Sequence, residues 1–98
     1  MLYLAVREVT PDMFAGLTST PDKLDALKRL TAAFADECKQ AFPDITVVDR
    51  LWSSYALVLE LPDADTEALA ERIGNALKCE MHANHEEVLA ISKSTPVA

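Results

Sequence analysis

The stretch that decides the fold reads Ile45-Thr-Val-Val-Asp-Arg-Leu-Trp-Ser-Ser-Tyr-Ala-Leu-Val-Leu-Glu-Leu61. β-Branched, aromatic and other apolar residues fill both of its halves, which is typical of strands. We predict one strand over residues 45–52, a very short connection near Ser53 and Ser54, and a second strand over 55–61. One helical pattern flanks this hairpin on each side, and one more short apolar segment lies beyond each helix.

The N-terminal part of the chain supplies a strand and a helix. Apolar side chains alternate along residues 2–9, which predicts a strand with one strongly apolar face. Thr10-Pro11-Asp12 has the pattern of a helix start, but Gly16 ends that helix after a single turn. The same pattern at Thr20-Pro21-Asp22 begins a long helix, which Pro43 ends. Its apolar stripe consists of Leu24, Leu27, Leu30, Phe34, Cys38 and Ala41.

The C-terminal part is predicted to form a second helix and a last strand. Asp63, Asp65 and Glu67 lie where the dipole of this helix favours negative charge. Gly74 inside the helix costs up to about 1 kcal/mol relative to Ala, which suggests that the helix approaches the sheet closely. We expect the helix to fray between residues 82 and 84, and a strand to follow over 88–93.

The element order β-α-β-β-α-β predicts a ferredoxin-like, or split βαβ, fold of the α+β class. In this fold a four-stranded antiparallel sheet carries both helices on one face. Strands 2–9 and 55–61 occupy its centre, and strands 45–52 and 88–93 its edges. A chain of 98 residues is long enough for one domain, which we place at 1–93, with a flexible tail at 94–98.

With both helices on one face, the other face of the sheet is predicted to be uncovered. If Leu2, Leu4 and Val6 face the helices together with Leu57 and Leu59, the opposite side chains form an open apolar face. Such a patch usually meets a partner, and the commonest partner is a second copy of the chain. We therefore predict a homodimer whose contact face consists of Tyr3, Ala5, Arg7, Ala56 and Val58, with Glu60 at one end.

The net charge of −7 is concentrated in one region. Residues 60–87 hold eight acids and two bases, a net charge of −6. Such a surface repels nucleic-acid backbones and anionic membranes and favours a basic protein partner. The other interpretation is a solvated helix face that keeps the protein soluble. The candidate partner-binding residues are Glu60, Asp63, Asp65, Glu67 and Glu71.

Two strand fragments resemble the RNA-recognition motif, a family that has the ferredoxin-like fold. Leu2-Tyr3-Leu4 and Tyr55-Ala56-Leu57-Val58 fall on the first and third strands, where that family keeps its base-stacking aromatic residues. The resemblance implies stacking roles for Tyr3 and Tyr55. The chain departs from the family at Leu57, where a second aromatic residue would stand, and in its acidity, which opposes phosphate contacts. We expect no direct binding to nucleic acid.

Cys79, His82 and His85 form the one cluster with metal-ligand chemistry. On a helix, Cys79 and His82 would lie one turn apart and could share zinc or copper. The spacing matches no recognised metal motif, and a half-buried thiol beside two surface imidazoles is the alternative that we favour. With only Gly16 and Gly74, the chain has no glycine-rich phosphate loop, so we expect no cofactor.

These patterns favour binding over catalysis. We predict a small acidic domain that engages a basic protein partner, as an inhibitor or adaptor that occupies a nucleic-acid-binding surface in the manner of DNA-mimic proteins. The alternative is a dimeric α+β-barrel enzyme with a ligand cavity between sheet and helices, contacted by Tyr3, Trp52, Tyr55 or His82. No apolar run reaches the ~20 residues of a membrane span, and the first residues do not resemble a secretory signal. We expect a cytoplasmic, non-membrane protein with reduced cysteines.

Overall fold

A computed structural model describes residues 1–51, 55–62, 64–84, 86–88 and 90 of the chain. It has the α+β architecture that the sequence predicts, with helices and an antiparallel sheet of four strands. The elements are β1 (Leu2–Val6), a short 3-10 helix (Pro11–Phe14), α1 (Thr20–Ala41), β2 (Thr46–Leu51), β3 (Ala56–Glu60), α2 (Thr66–Leu77) and β4 (Glu80–His82).

The central hairpin is confirmed. β2 and β3 pair in antiparallel register, with an irregularity between Val47 and Asp49 that is consistent with a β-bulge. β3 also pairs with β1, and β1 with β4, so that the strand order is β2-β3-β1-β4. β1 and β3 therefore lie in the centre of the sheet, as the predicted element order requires.

The start of α1 lies one residue earlier than the Thr-Pro pattern indicates. Ser19 rather than Thr20 is the capping residue, and its Oγ accepts a hydrogen bond of 3.3 Å from the backbone N–H of Asp22. Pro21 then occupies the first turn, where its missing N–H costs nothing. At the other end, the N–H of Phe42 donates to the carbonyl oxygen of Cys38 at 2.9 Å, and Pro43 follows.

The prediction for the fourth strand is wrong. α2 ends at Leu77 because Lys78 adopts a left-handed conformation with φ of 53°. The chain then turns back, and Glu80–His82 pairs with β1 as the edge strand β4. Residues 88 and 90, which we expected in the strand, are helical, as are residues 86 and 87, and the rest of the predicted strand lies outside the described residues.

The larger core cluster joins buried residues of the sheet with residues of α1 and α2. Leu57 and Leu59 are fully buried there, as predicted, beside Phe34 of α1 and Ile73 of α2. The close approach inferred from Gly74 is also confirmed. A Cβ atom at this position would lie 3.1 Å from the carbonyl oxygen of Cys79 and 3.5 Å from Cγ of Met81, so the glycine lets α2 pack against the β4 segment.

The predicted dimer face is wrong in half of its members. Tyr3 pairs with Leu59 and Ala5 with Leu57, so the odd-numbered residues of β1 point toward the helices. Tyr3 and Ala5 are buried in the main core, and Arg7 continues on the same side of the strand.

Ala56 and Val58 lie on the opposite side of the sheet from Tyr3 and Ala5. They are buried with Leu4 and Leu51, and Leu2 and Val6 pack at the margin of this second cluster. Val88 from the C-terminal helical turn is 1% exposed and packs into the same cluster. The central strands therefore present an apolar face that the chain itself covers.

Candidate functional site

Two adjoining depressions lie where the end of α1 and the loop to β2 meet the loop between β3 and α2. Both are lined by Asp44 and Pro62, so they lie side by side, and we call the two together the groove. The first, which we call the apolar cavity, has a volume of ≈250 Å³ and is lined by Ala41, Phe42, Pro43, Asp44, Ile45, Pro62, Ala64, Leu69 and Arg72. The second, the acidic recess, has a volume of ≈260 Å³ and is lined by Met1, Asp44, Thr46, Glu60, Leu61 and Pro62.

The walls of the apolar cavity come from residues that the fold needs for other reasons. Ile45 is buried in the main core, and Phe42 and Leu69 pack against that core while staying half-buried. The guanidinium carbon of Arg72 lies 5.8 Å from the ring centroid of Phe42, a cation–π distance. The cavity thus combines apolar walls with one positive and one negative side chain, Arg72 and Asp44.

Asp44 and Glu60, the carboxylates of the acidic recess, are exposed. Within the part of the chain that the structure describes, Arg7 pairs with Glu37, and Glu80 contacts His82, which forms an ion pair only when the imidazole is protonated. Asp44 and Glu60 are therefore free of a basic partner there, and both line the acidic recess. An exposed pair of carboxylates beside apolar surface can accept hydrogen bonds from a lysine or arginine side chain of another molecule.

The acids predicted from composition extend this negative surface along α2. Asp65 directly follows the cavity residue Ala64, and Glu67 and Glu71 lie on the first turns of the helix; all three are exposed. Asp63 lies outside the described residues. Sequence reasoning missed the apolar cavity and did not place Asp44 near Glu60, because these residues are far apart in the chain and meet only in the fold.

Arg7 forms the densest group of polar contacts in the described structure. Its Nε donates to the carbonyl oxygen of Leu77 at 3.0 Å, and its Nη1 donates to Oε2 of Glu37 at 2.8 Å and to the hydroxyl of Tyr55 at 3.4 Å. The guanidinium also lies 4.3 Å from the ring centroid of Phe34. Burial lowers the pKa of Arg7, but the hydrogen bonds to Glu37 and Tyr55 outweigh it and leave the pKa raised.

Both thiols lie near this arginine. Burial, with a smaller effect from Cys79, raises the pKa of Cys38 to about 11, and burial also raises the pKa of Cys79. Both thiols are therefore protonated near neutral pH and are poor nucleophiles in this state. Cys79 lines a further depression of ≈640 Å³ together with Val6, Glu8, Gly74, Lys78 and Glu80.

The two candidate metal ligands that the structure describes, Cys79 and His82, do not come together. Cys79 precedes an extended strand rather than lying on a helix, and its Sγ contacts Sδ of Met81 at 3.9 Å. His82 and Glu80 point to the opposite face of that strand, where Nε2 of His82 lies 3.4 Å from Oε2 of Glu80. His85 lies outside the described residues, and those that are described contain no cluster of three metal-ligating side chains.

The residues named for an enzyme cavity are also dispersed. Tyr3 and Tyr55 are 4% and 5% exposed and pack in the main core, with the rings of Tyr55 and Phe34 5.7 Å apart. His82 projects from the other face of the sheet, and Trp52 lies outside the described residues. These side chains therefore do not converge on one surface.

Comparison of the chain with protein-family models, with curated proteins and with solved structures finds no match. Neither helix in the described residues combines the length and the apolar character that a bilayer span requires.

Proposed function

We propose that this protein is a binding module of ferredoxin-like fold that docks a basic segment of another protein in the groove. The strand order β2-β3-β1-β4 with antiparallel pairing throughout supports the fold assignment. One observation carries the functional proposal: an apolar cavity lies directly beside the exposed carboxylates of Asp44 and Glu60, which form no ion pair with a basic side chain among the described residues. Protein interfaces combine an apolar centre with a polar rim in the same way.

The packing of the interior supports binding rather than catalysis in a central cavity. The space between sheet and helices is occupied by fully buried side chains, among them Phe34, Leu57 and Ile73. The raised pKa values of Cys38 and Cys79 leave these thiols unsuited to nucleophilic attack near neutral pH.

The acidity of the chain suggests what the partner does. Exposed carboxylates on α2 and beside it present negative charge to solvent, and the chain carries −7 in total. A nucleic-acid-binding protein presents a complementary basic surface. We therefore propose an inhibitor or adaptor that occupies such a surface, with the groove as the contact centre.

A second candidate function is small-molecule binding in the depression that Cys79 lines. Its volume of ≈640 Å³ falls within the range of about 300–1,000 Å³ that is usual for small-ligand pockets. Glu8, Lys78 and Glu80 supply charged groups around it. A fragment screen by NMR tests this function, and shifts at Gly74 and Cys79 that Glu8→Trp abolishes would support it, since Glu8 is exposed and lines the same depression.

We also propose self-association, but through a surface that differs from the predicted dimer face. Val58, at the centre of the predicted dimer face, is fully buried within its own chain. A contact between two copies would have to use the half-exposed margin of that face, Leu2 and Val6. Sedimentation at micromolar concentration decides between a dimer and a monomer of 10.7 kDa.

Affinity enrichment from cell lysate, compared across charge variants, tests the main proposal. Glu67→Lys/Glu71→Lys reverses charge beside the groove, and Asp25→Lys/Asp36→Lys makes the same change on exposed positions of α1. We expect basic proteins to be captured in a salt-sensitive manner, and to be lost with the first variant but kept with the second. Equal losses of captured protein in both variants would show that capture depends only on net charge, and would refute the proposal.

A further inference from the structure

The groove also determines which kind of basic segment it can take. Resting on the proposed function, we infer that the apolar cavity takes one large apolar side chain of the partner while the acidic recess takes a neighbouring lysine or arginine. The partner segment then carries an apolar anchor residue flanked by basic residues.

The size of the apolar cavity points to a side chain rather than to a small molecule. Its ≈250 Å³ lies below the range of about 300–1,000 Å³ for small-ligand pockets. Phe42, Ile45 and Leu69 line it with apolar surface, on which a leucine or an aromatic ring gains by leaving water. Anchor residues in small pockets supply most of the binding energy in many protein interfaces.

The charges separate the two halves of the groove. Arg72 and Asp44 both line the apolar cavity, so their charges offset each other and a lysine or arginine inserted there gains no net attraction. Asp44 and Glu60 line the acidic recess together with Met1, whose N-terminal ammonium donates to the carbonyl oxygen of Leu61 at 2.8 Å, so the recess keeps a net negative charge that attracts a cation. Because Asp44 and Pro62 belong to both depressions, the anchor and the cation must lie close together on the bound segment.

Exposed alanines provide a way to block the cavity without altering the core. Ala64 is exposed and lines the apolar cavity, so Ala64→Trp should fill it. Ala68 is equally exposed on α2 but does not line the cavity, so Ala68→Trp is the matched control. Ala41→Trp, on the opposite wall, is a second blocking variant should the first disturb the fold.

Selection of peptides from a randomised library on the wild-type protein tests the inference, followed by fluorescence anisotropy with the selected consensus peptide. We expect a consensus in which one apolar position is flanked by lysine or arginine. Replacing that apolar residue by alanine should weaken binding by about 10- to 100-fold, the loss expected for one buried apolar side chain. Ala64→Trp should weaken it to a similar extent, and Ala68→Trp should not.

Two other outcomes overturn the inference in different ways. The first outcome is a basic consensus with no fixed apolar position, or full binding by both blocking variants. Either result would refute the insertion of an apolar side chain into the cavity, while docking of a basic segment by charge would remain as the function. Selection of peptides without enrichment of lysine or arginine would refute the anchor and the proposed function together.

Discussion

Replacing Arg7 should destabilise the protein because this side chain completes the C-terminus of α2. The carbonyl oxygen of Leu77 is one of the terminal acceptors of that helix, which have no donor within it, and it accepts from Nε of Arg7, whereas the last turn itself contains no basic residue. A cation at this end of a helix also interacts favourably with the helix dipole. Arg7, which directly follows β1, therefore adds its charge to that of Lys78 at the C-terminal end of α2.

The contacts of Arg7 set the size of the effect. Arg7→Met keeps the aliphatic stem but removes the donor to Leu77, and a buried acceptor left without a donor costs about 1–3 kcal/mol. Loss of the stacking on Phe34 adds about 0.5–2 kcal/mol. The pair with Glu37 adds little, since that side chain is 53% exposed and such pairs contribute about 0–1 kcal/mol. Because these terms overlap, we expect a total loss of about 2–4 kcal/mol.

Equilibrium unfolding in urea measures these losses, provided that the slope with denaturant stays constant across the variants. Arg7→Lys keeps the charge but not the planar fork, and should cost about half as much as Arg7→Met. Glu37→Gln should change stability by less than about 1 kcal/mol. If Glu37→Gln costs as much as Arg7→Met, the exposed ion pair is the source of stability, and the roles of Leu77 and Phe34 are refuted.

Three further predictions address the turn after α2, the buried thiol and the core. Lys78→Gly should stabilise the protein by about 1 kcal/mol because it relieves the left-handed conformation, whereas Ala76→Gly inside the helix should cost about as much; thermal unfolding of both variants checks this. The folded-state pKa of Cys38 is about 11 and the ordinary value is 9.0. The contribution of this thiol to the free energy of unfolding is therefore intact below about pH 9, and it falls by about 3 kcal/mol as the pH rises through about 11. Between about pH 8 and about pH 10.5, urea titrations should therefore show a smaller loss of unfolding free energy for Cys38→Ala than for the wild type. Leu57→Ala, at a fully buried position, should cost about 2–5 kcal/mol in the same assay, and a loss below about 0.5 kcal/mol would place it outside the core.

The hairpin and α1 could be predicted because their signals are strong and local. The hairpin segment combines β-branched and aromatic residues over two adjacent runs, and α1 has a long apolar stripe between clear start and stop residues. The end of α2 could not be predicted in this way. A glycine usually marks a left-handed helix end, and here that position is Lys78.

The C-terminal helical turn did carry a signal that the apolar run over 88–91 concealed. The N–H of Glu87 donates to Oδ1 of Asn84 at 3.0 Å, and the N–H of Val88 donates to the carbonyl oxygen of Asn84 at 2.9 Å. Asn followed three residues later by Glu, directly before an apolar run, is a helix-start pattern. Reading that pattern before the apolar run would have predicted a helical turn in place of the strand.

The two faces of the sheet could not be assigned from periodicity because both faces of the central strands are apolar. β1 reads Leu-Tyr-Leu-Ala-Val and β3 reads Ala-Leu-Val-Leu-Glu, so alternation does not distinguish an inner from an outer face. Pairing decides the matter, since Tyr3 lies opposite Leu59. A register shifted by one residue would move each side chain to the other face of the sheet. The prediction for Tyr3 and Ala5 made this error, because it placed both side chains on the face away from the helices.

The carboxylates around the groove differ in what they do for the fold, and this difference identifies the ones on which the proposed function depends. Glu67 lies in the first turn of α2, where negative charge stabilises the helix whether or not a partner binds. Asp44 lies just beyond the C-terminus of α1, where negative charge is unfavourable, and Glu60 ends β3 without a basic partner in the described residues. Asp44→Asn/Glu60→Gln should therefore keep or slightly raise the melting temperature while weakening binding to the selected basic peptide. If that variant binds as the wild type does, the negative surface of α2 serves its own helix, and the acidic recess is not where the partner docks.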